Sequence, residues 1–422
     1  MKSKYKNAAL LFALLVISMF IFSTLVLAEK NSENKEKKKR VIAHTEKEVD
    51  DAITKGCKKV REARTLKALE CSEGVALQLG LQEDIRVFAL DEDENDFKEK
   101  RHRDRNDRVS VQDVNANKQI RADLVHVSGN TGSGRKVVVL DTGYNYNHPE
   151  LSSSYLGGKD FVNDDNDPSD DNGHGSHVSG IVTNDGVNAS AKGVAPDAGV
   201  IAGKVLDASG SGFFSDVVAA IYWAVDGNDG IAGPVCTTDN STNTTTCTND
   251  DFNADAVSMS LGTAPPYTFK GFCDNILPDL TNAIKYARSR SVTVVSAAGN
   301  SGSAGVSIPG CISYSVTVGA VDSRDKIASF SGRGGAVDLT APGVNIFSAW
   351  LGNSYKTASG TSMSTPMVSS TVALVKYAHP SYSVTQVENA LFKTAKDLGK
   401  TGKDTSYGYG RVDAYGAVNF VG

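Results

Sequence analysis

The sequence predicts an α/β fold. It is a doubly wound, mostly parallel central sheet with helices on both faces, preceded by a small α+β domain. Three observations carry this. From residue 111 onward, short continuous apolar runs at 136–140, 199–206, 256–261, 292–297 and 314–321 read as strands buried on both faces. Helical stretches at 215–225, 280–289 and 365–378 fall between or after them. Several polar residues with catalytic chemistry stand just past a strand, where open sheets of this kind gather their function.

Composition bounds the alternatives. A chain of 422 residues admits about two to four domains, or one large core with appendages. Its 40% hydrophobic content is enough for a sizeable core. The 40 glycines, without periodicity, fit a loop-rich globular protein. A net charge of -5 argues against a nucleic-acid binder. The charge is split: residues 1–108 carry 23 basic and 20 acidic side chains, and the remainder 21 and 29. Such a step suggests two parts with different fates.

In chain order, Lys2, Lys4 and Lys6 precede an apolar run over 8–28, and Val26-Leu27-Ala28 offers a small-residue cleavage site. Residues 1–28 read as a secretory signal. The run is long enough for a retained anchor, but the site at its end favours cleavage. Residues 29–97 form the next piece. Here 40–44 and 85–90 read as strands, 46–55 as a polar helix, and 74–79 as mostly apolar. About 60 residues make a small core. Residues 98–112 form a charged linker with no apolar side chain over 98–108, open to proteolysis. The main domain is 113–422.

The six cysteines fit an exported protein. Cys236, Cys247, Cys273 and Cys311 allow three pairings, and the short loop between the first two favours Cys236–Cys247 with Cys273–Cys311. No spacing suggests zinc. Sequons start at Asn188, Asn240 and Asn243.

Past the strand at 136–140 stands Asp141. About 30 residues later, His174 lies between two glycines at the start of a helical run. Asn300 follows the strand at 292–297. Ser362 precedes Pro366, which suits a helix start, so its hydroxyl sits near a helix N-terminus. Together they offer a nucleophile, a base, a carboxylate to orient the base, and an amide donor for a developing oxyanion. That is the equipment of acyl transfer.

Four motifs carry a resemblance. They are Val138-Val139-Leu140-Asp141-Thr142-Gly143, Gly173-His174-Gly175-Ser176-His177-Val178-Ser179-Gly180, Ala297-Ala298-Gly299-Asn300 and Gly360-Thr361-Ser362-Met363-Ser364-Thr365-Pro366. In order and spacing the chain, over about 113–421, resembles the subtilisin-like serine proteases. The resemblance implies a catalytic triad of Asp141, His174 and Ser362, with Asn300 and the Ser362 backbone N–H holding the oxyanion. It implies a primary pocket lined by Ser258, Ser260, Leu261, Gly262, Ala297, Ala298 and Gly299, roomy enough for a large apolar side chain. Ser211 and Gly212, within 209–213, would pair with the substrate backbone as an added strand. The segment before the linker resembles the family's propeptide, an intramolecular inhibitor and folding aid. Residues 98–112 are the expected site of self-cleavage. The implied product is a secreted, monomeric endopeptidase that acts on polypeptides and uses no organic cofactor, with no membrane attachment once the signal is removed.

The stretch 160–171 holds six aspartates in twelve residues. It resembles the calcium loop of thermitase-like members, with Asp160, Asp165 and Asp167 as ligands, so calcium-dependent stability is expected. A second family calcium site would use Glu150 and the loop 184–191, where Glu replaces the usual Asp and Val187 interrupts the usual Asn pattern. An insertion of about 20 residues after Trp223 departs from the family; a disulfide-tied surface loop is the preferred reading. Other readings fare worse. Asp141-Thr142-Gly143 matches the aspartic-protease triplet, but no second copy exists. The loop 129–136 has Arg135 where a phosphate loop needs Lys, and it precedes its strand. A catalytically silent binding or chaperone protein on the same fold is the remaining alternative.

Overall fold

The computed structural model describes residues 37–91, 113–227, 235–239, 244–248 and 251–422. The expected signal at 1–28 and the expected linker at 98–112 lie outside the described residues. By internal contacts the chain forms two units: Met1–Val60 with Lys67–Glu83, and Arg61–Leu66 with Asp84–Gly422.

The first unit contains β1 (Lys38–Ala43), α1 (Glu46–Thr54), β2 (Lys58–Ala63), β3 (Leu66–Ser72), α2 (Glu73–Leu79) and β4 (Gln82–Glu83). Its sheet has the order β2-β3-β1-β4. α1 starts where it does because Thr45 and Glu48 close a capping box. Val41, Val49 and Leu69 pack with Cys57 and Cys71, which form a disulfide. So small a core gains from a covalent tie.

The second unit begins its ordered course with β5 (Arg86–Ala89), then α3 (Asp113–Gln119), α4 (Ala122–Val127), β6 (Lys136–Asp141), β7 (Tyr155–Asp160), α5 (His174–Thr183), β8 (Gly199–Lys204), β9 (Ser211–Phe213) and α6 (Phe214–Asp226). β10 (Val235–Asp239), β11 (Thr244–Thr248), β12 (Ala256–Met259), β13 (Leu261–Gly262), β14 (Thr268–Phe269), α7 (Pro278–Ser289), β15 (Thr293–Ala297) and β16 (Val306–Ser307) follow. The chain ends with β17 (Val316–Val321), β18 (Leu339–Pro342), β19 (Ile346–Ala349), β20 (Tyr355–Ala358), α8 (Thr361–Ala378), α9 (Val384–Thr394) and α10 (Ala414–Val418).

The expected sheet is present. Seven strands pair in the order β18-β17-β15-β12-β6-β8-β7, every pair parallel. After β8 the chain crosses back to the other side of β6, so the strand order reverses between β6 and β12. The carboxyl ends of those two strands flank the crevice where such folds bind ligands. Alternation along each strand serves two helix layers: Val137 and Val139 join the core built around α8, while Val138 is buried outside it. α8 packs on β12, β15, β17 and α5, and α6 packs on α7.

Two expected boundaries move. The run at 256–261 is not one strand. It breaks at Ser260, because β13 leaves the parallel sheet to pair with β5. The helix expected from 365 begins at Thr361, with Pro366 inside it. A proline there has no N–H for the Ser362 carbonyl. That carbonyl instead accepts from Ser260 Oγ at 2.8 Å. In the insertion, β10 and β11 form a hairpin whose register sets Cys236 opposite Cys247. Cys273 and Cys311 are bonded.

The loop at 184–191 is tied by one side chain. Glu150 is 0% exposed. Its Oε2 accepts from the N–H groups of Gly186 at 2.8 Å and Val187 at 3.1 Å. Its Oε1 accepts from the Asn188 N–H at 2.6 Å and the Tyr355 hydroxyl at 2.9 Å. Burial and the Glu150 charge push the Tyr355 phenol up to about 12. Glu150→Ala strips four donors of their acceptor at once. It is expected to cost about 2–5 kcal/mol in a denaturant titration. An unchanged midpoint would show that the loop does not depend on this carboxylate.

Candidate active site

Asp141 is the last residue of β6, and its side chain is 1% exposed. Its Oδ1 accepts from the Thr142 N–H at 2.7 Å and from His174 Nδ1 at 2.7 Å. That second bond requires the start of α5 to approach the end of β6 closely. A Cβ on Gly175 would lie 2.2 Å from the Gly143 carbonyl oxygen. Gly143 itself has φ +123°, and a Cβ there would lie 2.6 Å from the Pro168 oxygen. The turn before α5 is organised by Asp170. Its Oδ1 accepts from Thr142 Oγ1 and the Asn172 and Gly173 N–H groups, and its Oδ2 from the Ser176 N–H and hydroxyl. Beneath the turn, the Lys204 ammonium donates to the Thr142 carbonyl at 2.6 Å, Asp171 at 2.6 Å and the Leu206 carbonyl at 3.0 Å.

With Nδ1 donating to Asp141, neutral His174 leaves Nε2 as the basic nitrogen. Burial disfavours the imidazolium, but the charge and hydrogen bond of Asp141 outweigh it, and the pKa moves up. His177, three residues on, is pushed down to about 3 by burial and by His174. It stays neutral, its Nε2 between the carbonyls of Ile346 and Lys356.

Ser362 lies in the first turn of α8 and is buried. Its hydroxyl donates to the Ser260 carbonyl at 2.9 Å. His174 Nε2 has no hydrogen-bond partner among the described residues. The Asn300 side chain is oriented from behind: its Oδ1 accepts from the Thr361 N–H at 3.0 Å and hydroxyl at 2.9 Å. Its Nδ2 is thereby left to donate, at 3.1 Å, to the carbonyl of Leu90.

That acceptor directly follows β5, which lies between two strands. Ala89 and Phe88 pair with Leu261 and Gly262 of β13, and Phe88, Val87 and Arg86 with Ser211, Gly212 and Phe213 of β9. Leu261 and Gly262 thus lie on one side of β5, and Ser211 and Gly212 on the other. A Cβ on Gly262 would come within 3.0 Å of Leu90 Cδ1. A Cβ on Gly360 would come within 2.3 Å of the Leu90 oxygen. Ala297 and Ala298 are buried at the end of β15, and the Gly299 N–H donates to Thr361 Oγ1 at 3.1 Å. Ser258 is tied to α8 instead, accepting from Ser369 at 2.9 Å.

The acidic loop does not assemble as expected. Asp160 accepts from the N–H groups of Val162 and Asn163 and from the Asn163 amide. Asp165 accepts from the Asp167 N–H, and Asp167 from the Tyr146 hydroxyl and the Ser169 N–H. Each carboxylate closes its own turn. Among the described residues no group of three or more acidic, histidine or cysteine side chains is placed to hold a metal ion. The expected set of Asp160, Asp165 and Asp167 does not fit calcium in this arrangement.

Sequence reasoning missed Asp170, Thr361, Lys204 and Leu90 as parts of the site. Lys204 alone left a signal, a charge inside an apolar run.

Residues 132–410 match the family model described as the subtilase family. Subtilisin Savinase from Lederbergia lenta is 38% identical over 300 residues, covering 71% of this chain and 96% of that protein. Thermitase from Thermoactinomyces vulgaris is 35% identical over 292 residues, 68% of this chain and 90% of that one. A thermophilic serine proteinase from Bacillus sp. (strain AK1) is 37% identical over 289 residues, 68% of this chain and 62% of that protein's length. The chain belongs to the subtilase family and by that membership is a serine endopeptidase.

The upward shift of His174 sets a pH prediction. A base works deprotonated, so activity falls as pH drops through the raised value, above the ordinary imidazole value of about 6.5. Asp141→Asn is expected to move this acidic limb down and to lower kcat by about 10⁴. An unshifted kcat/KM profile in that variant would remove Asp141 as the cause.

Proposed function

We propose that the chain is made as a secreted, self-processing precursor, and that Ser362, His174, Asp141 and Asn300 perform its peptide hydrolysis. The observation that carries this reading is the Leu90 carbonyl, which lies against Asn300 Nδ2 and Gly360 at the end of a strand paired on both sides like a substrate. Ser362 Oγ turns from the Ser260 carbonyl and attacks the Leu90 carbonyl carbon, and its proton passes to His174 Nε2. Asn300 Nδ2 donates to the oxyanion; losing such a donor costs about 10²–10³ in kcat, a magnitude taken from this same family. The imidazolium, stabilised by Asp141, gives its proton to the departing amine of Asp91. Water then enters by the reverse route and frees the Leu90 carboxyl. His177 stays neutral beside the base and adds no competing charge.

This reading puts the first cut at Leu90–Asp91, earlier than the expected 98–112, which would then be trimmed in a second step. It also implies a preference for leucine-sized apolar residues before the scissile bond, since Leu90 rests on Gly262. Ser260, Ala297, Ala298 and Gly299 complete the surroundings of that pocket. Secretion is supported by the apolar leader and the disulfides. Among the described residues no helix is long and apolar enough to cross a membrane. Calcium rests on family membership alone, and no step uses it.

N-terminal sequencing of the form present before that trimming is expected to start at Asp91, and Ser362→Ala to stay uncut in a protease-free host. A serine-directed covalent inhibitor is expected to label the processed enzyme. Absence of label would favour a silent binding protein on this fold, and unchanged hydrolysis in Ser362→Ala would remove Ser362 as the nucleophile. Gly262→Val is expected to lower kcat/KM for leucine substrates roughly 10–200-fold while sparing alanine substrates. An equal loss on both would separate pocket size from general disruption.

A further inference from the structure

The residues of β5 have a strand on each side, but the residue after Leu90 has neither. Asp91 instead lies over the start of α8. A Cβ on Gly360, the residue before that helix, would lie 3.3 Å from Asp91 Cα. Gly360 is two residues past β20, so the chain beyond Leu90 begins where β20 runs out. β20 pairs with β19, setting Lys356 opposite Ser348. Both strands are fastened to α5 at His177. Its Nε2 donates to the Lys356 carbonyl at 3.0 Å, and its own carbonyl accepts from Ser348 Oγ at 2.8 Å. Just past β19, the Trp350 ring packs on the turn that carries the base. A Cβ on Gly173 would lie 2.4 Å from Trp350 Cε2, and the ring meets His177 edge-on at 6.0 Å.

Lys356 lays its ammonium over that ring, 4.1 Å from the centroid. The side chain is half-buried and forms no ion pair among the described residues. An aromatic face holds a cation in place and leaves its charge unneutralised. The charge is felt nearby: burial and then His174 hold the His177 imidazole low, and Lys356 adds to that push. On His174, against burial, Asp141 drives the rise and the Asp91 carboxylate adds to it. The two unlike charges thus act on one turn of α5. The sequence supplies more charge of the same sign, since Leu90 is followed by Asp91-Glu92-Asp93-Glu94. A strand advances about 3.3 Å per residue, so four residues put Lys356 at most about 13 Å from Gly360 along the chain. A chain leaving Gly360 crosses that distance in about four residues. All four are acidic here, so whichever of them faces β20 presents a carboxylate.

We propose that Lys356, held on the Trp350 ring, is a specificity-determining residue for the leaving-group side of the scissile bond, where it receives acidic side chains. The proposal rests on the Leu90–Asp91 reading above and names the substrate class for that side: an apolar residue followed by acidic ones. The contact is made before the bond reacts and persists while it does. Such uniform binding lowers KM and leaves kcat nearly unchanged. The ammonium is not fully buried, so salt should weaken the preference.

The test uses the active enzyme and two synthetic peptides. Both carry the same apolar stretch ending in leucine. One continues Asp-Glu-Asp-Glu and the other Asn-Gln-Asn-Gln, and mass spectrometry checks that each is cut after the leucine. In the parent, kcat/KM for the acidic peptide is expected to exceed that for the amide peptide roughly fivefold at low salt, chiefly through KM. High salt should bring the ratio toward one. Lys356→Glu is expected to push the ratio below one. Lys356→Arg keeps both the charge and the ring contact, and should keep the preference. Each ratio is taken within one enzyme, so a misfolded fraction of a variant cancels out of it. A parent that does not favour the acidic peptide overturns the proposal. So does a preference that is the same in the parent and in Lys356→Glu. The active form is used whatever its first residue. A chain never cut at Leu90–Asp91 therefore fails the precursor reading, while the peptide ratios still decide the role of Lys356.

Discussion

The bond from His174 Nδ1 to Asp141 Oδ1, 2.7 Å between two side chains each 1% exposed, constrains everything around it. A carboxylate and an imidazole shielded from water need their remaining polar neighbours fixed in advance. The Thr142 N–H closes on the same Asp141 oxygen. Thr142 Oγ1 in turn links the Gly175 N–H to Asp170. Thus the end of β6 and the start of α5 hold each other through several short polar contacts. The glycines are there because the backbones approach to a distance that no Cβ tolerates. The second glycine of Gly-His-Gly is thus a packing requirement of the hydrogen bond, while Gly173 holds φ +105° against the Trp350 ring.

The other half of the site rests on a missing hydrogen bond. Pro366 leaves the Ser362 carbonyl without its helical partner, and Ser260 Oγ supplies one. Ser362 Oγ donates back to the Ser260 carbonyl. The break in the sheet at Ser260 and the proline inside α8 are therefore one device. It locks the first turn of the helix to the edge of the groove. Thr361, the residue before, fixes the direction of the Asn300 amide. Its nitrogen then faces the acceptor without reorganisation, which is where preorganised donors act most strongly.

Much of this was legible in the sequence. The parallel strands announced themselves as short apolar runs because both faces of the sheet are covered, and the residues past their ends marked the site. What was not legible came from contacts between distant segments. Ser260 looked like one residue in a six-residue apolar run; only β5, about 170 residues upstream, shows why the strand stops there. The six aspartates of 160–171 read as a metal loop by composition. Yet each carboxylate here turns to its own backbone two or three residues on, and the three are not gathered around one point. Glu150 reads as an imperfect metal ligand until its oxygens are seen to hold three N–H groups and a phenol. In each case the residue type was plain and the partner was not.

The groove poses one further problem. β5 pairs on both sides and presents a carbonyl to Asn300, so the features that make a good substrate also make a good inhibitor. On the proposed roles, two states of one hydroxyl separate them. With Ser362 Oγ donating to Ser260, its proton is engaged and no base is in contact; the strand is bound and uncut. Rotation toward His174 exchanges that hydrogen bond for one to a basic nitrogen. The exchange trades one neutral acceptor for another, so its free-energy difference is small, on the order of 1 kcal/mol. A small difference makes the hydroxyl responsive to what fills the groove. Acidification, by protonating His174, removes the second acceptor and leaves the Ser260 carbonyl as the partner. Inhibited and reactive forms are thus neighbouring states of one buried hydroxyl, selected by the occupant of the strand site and by the proton on His174.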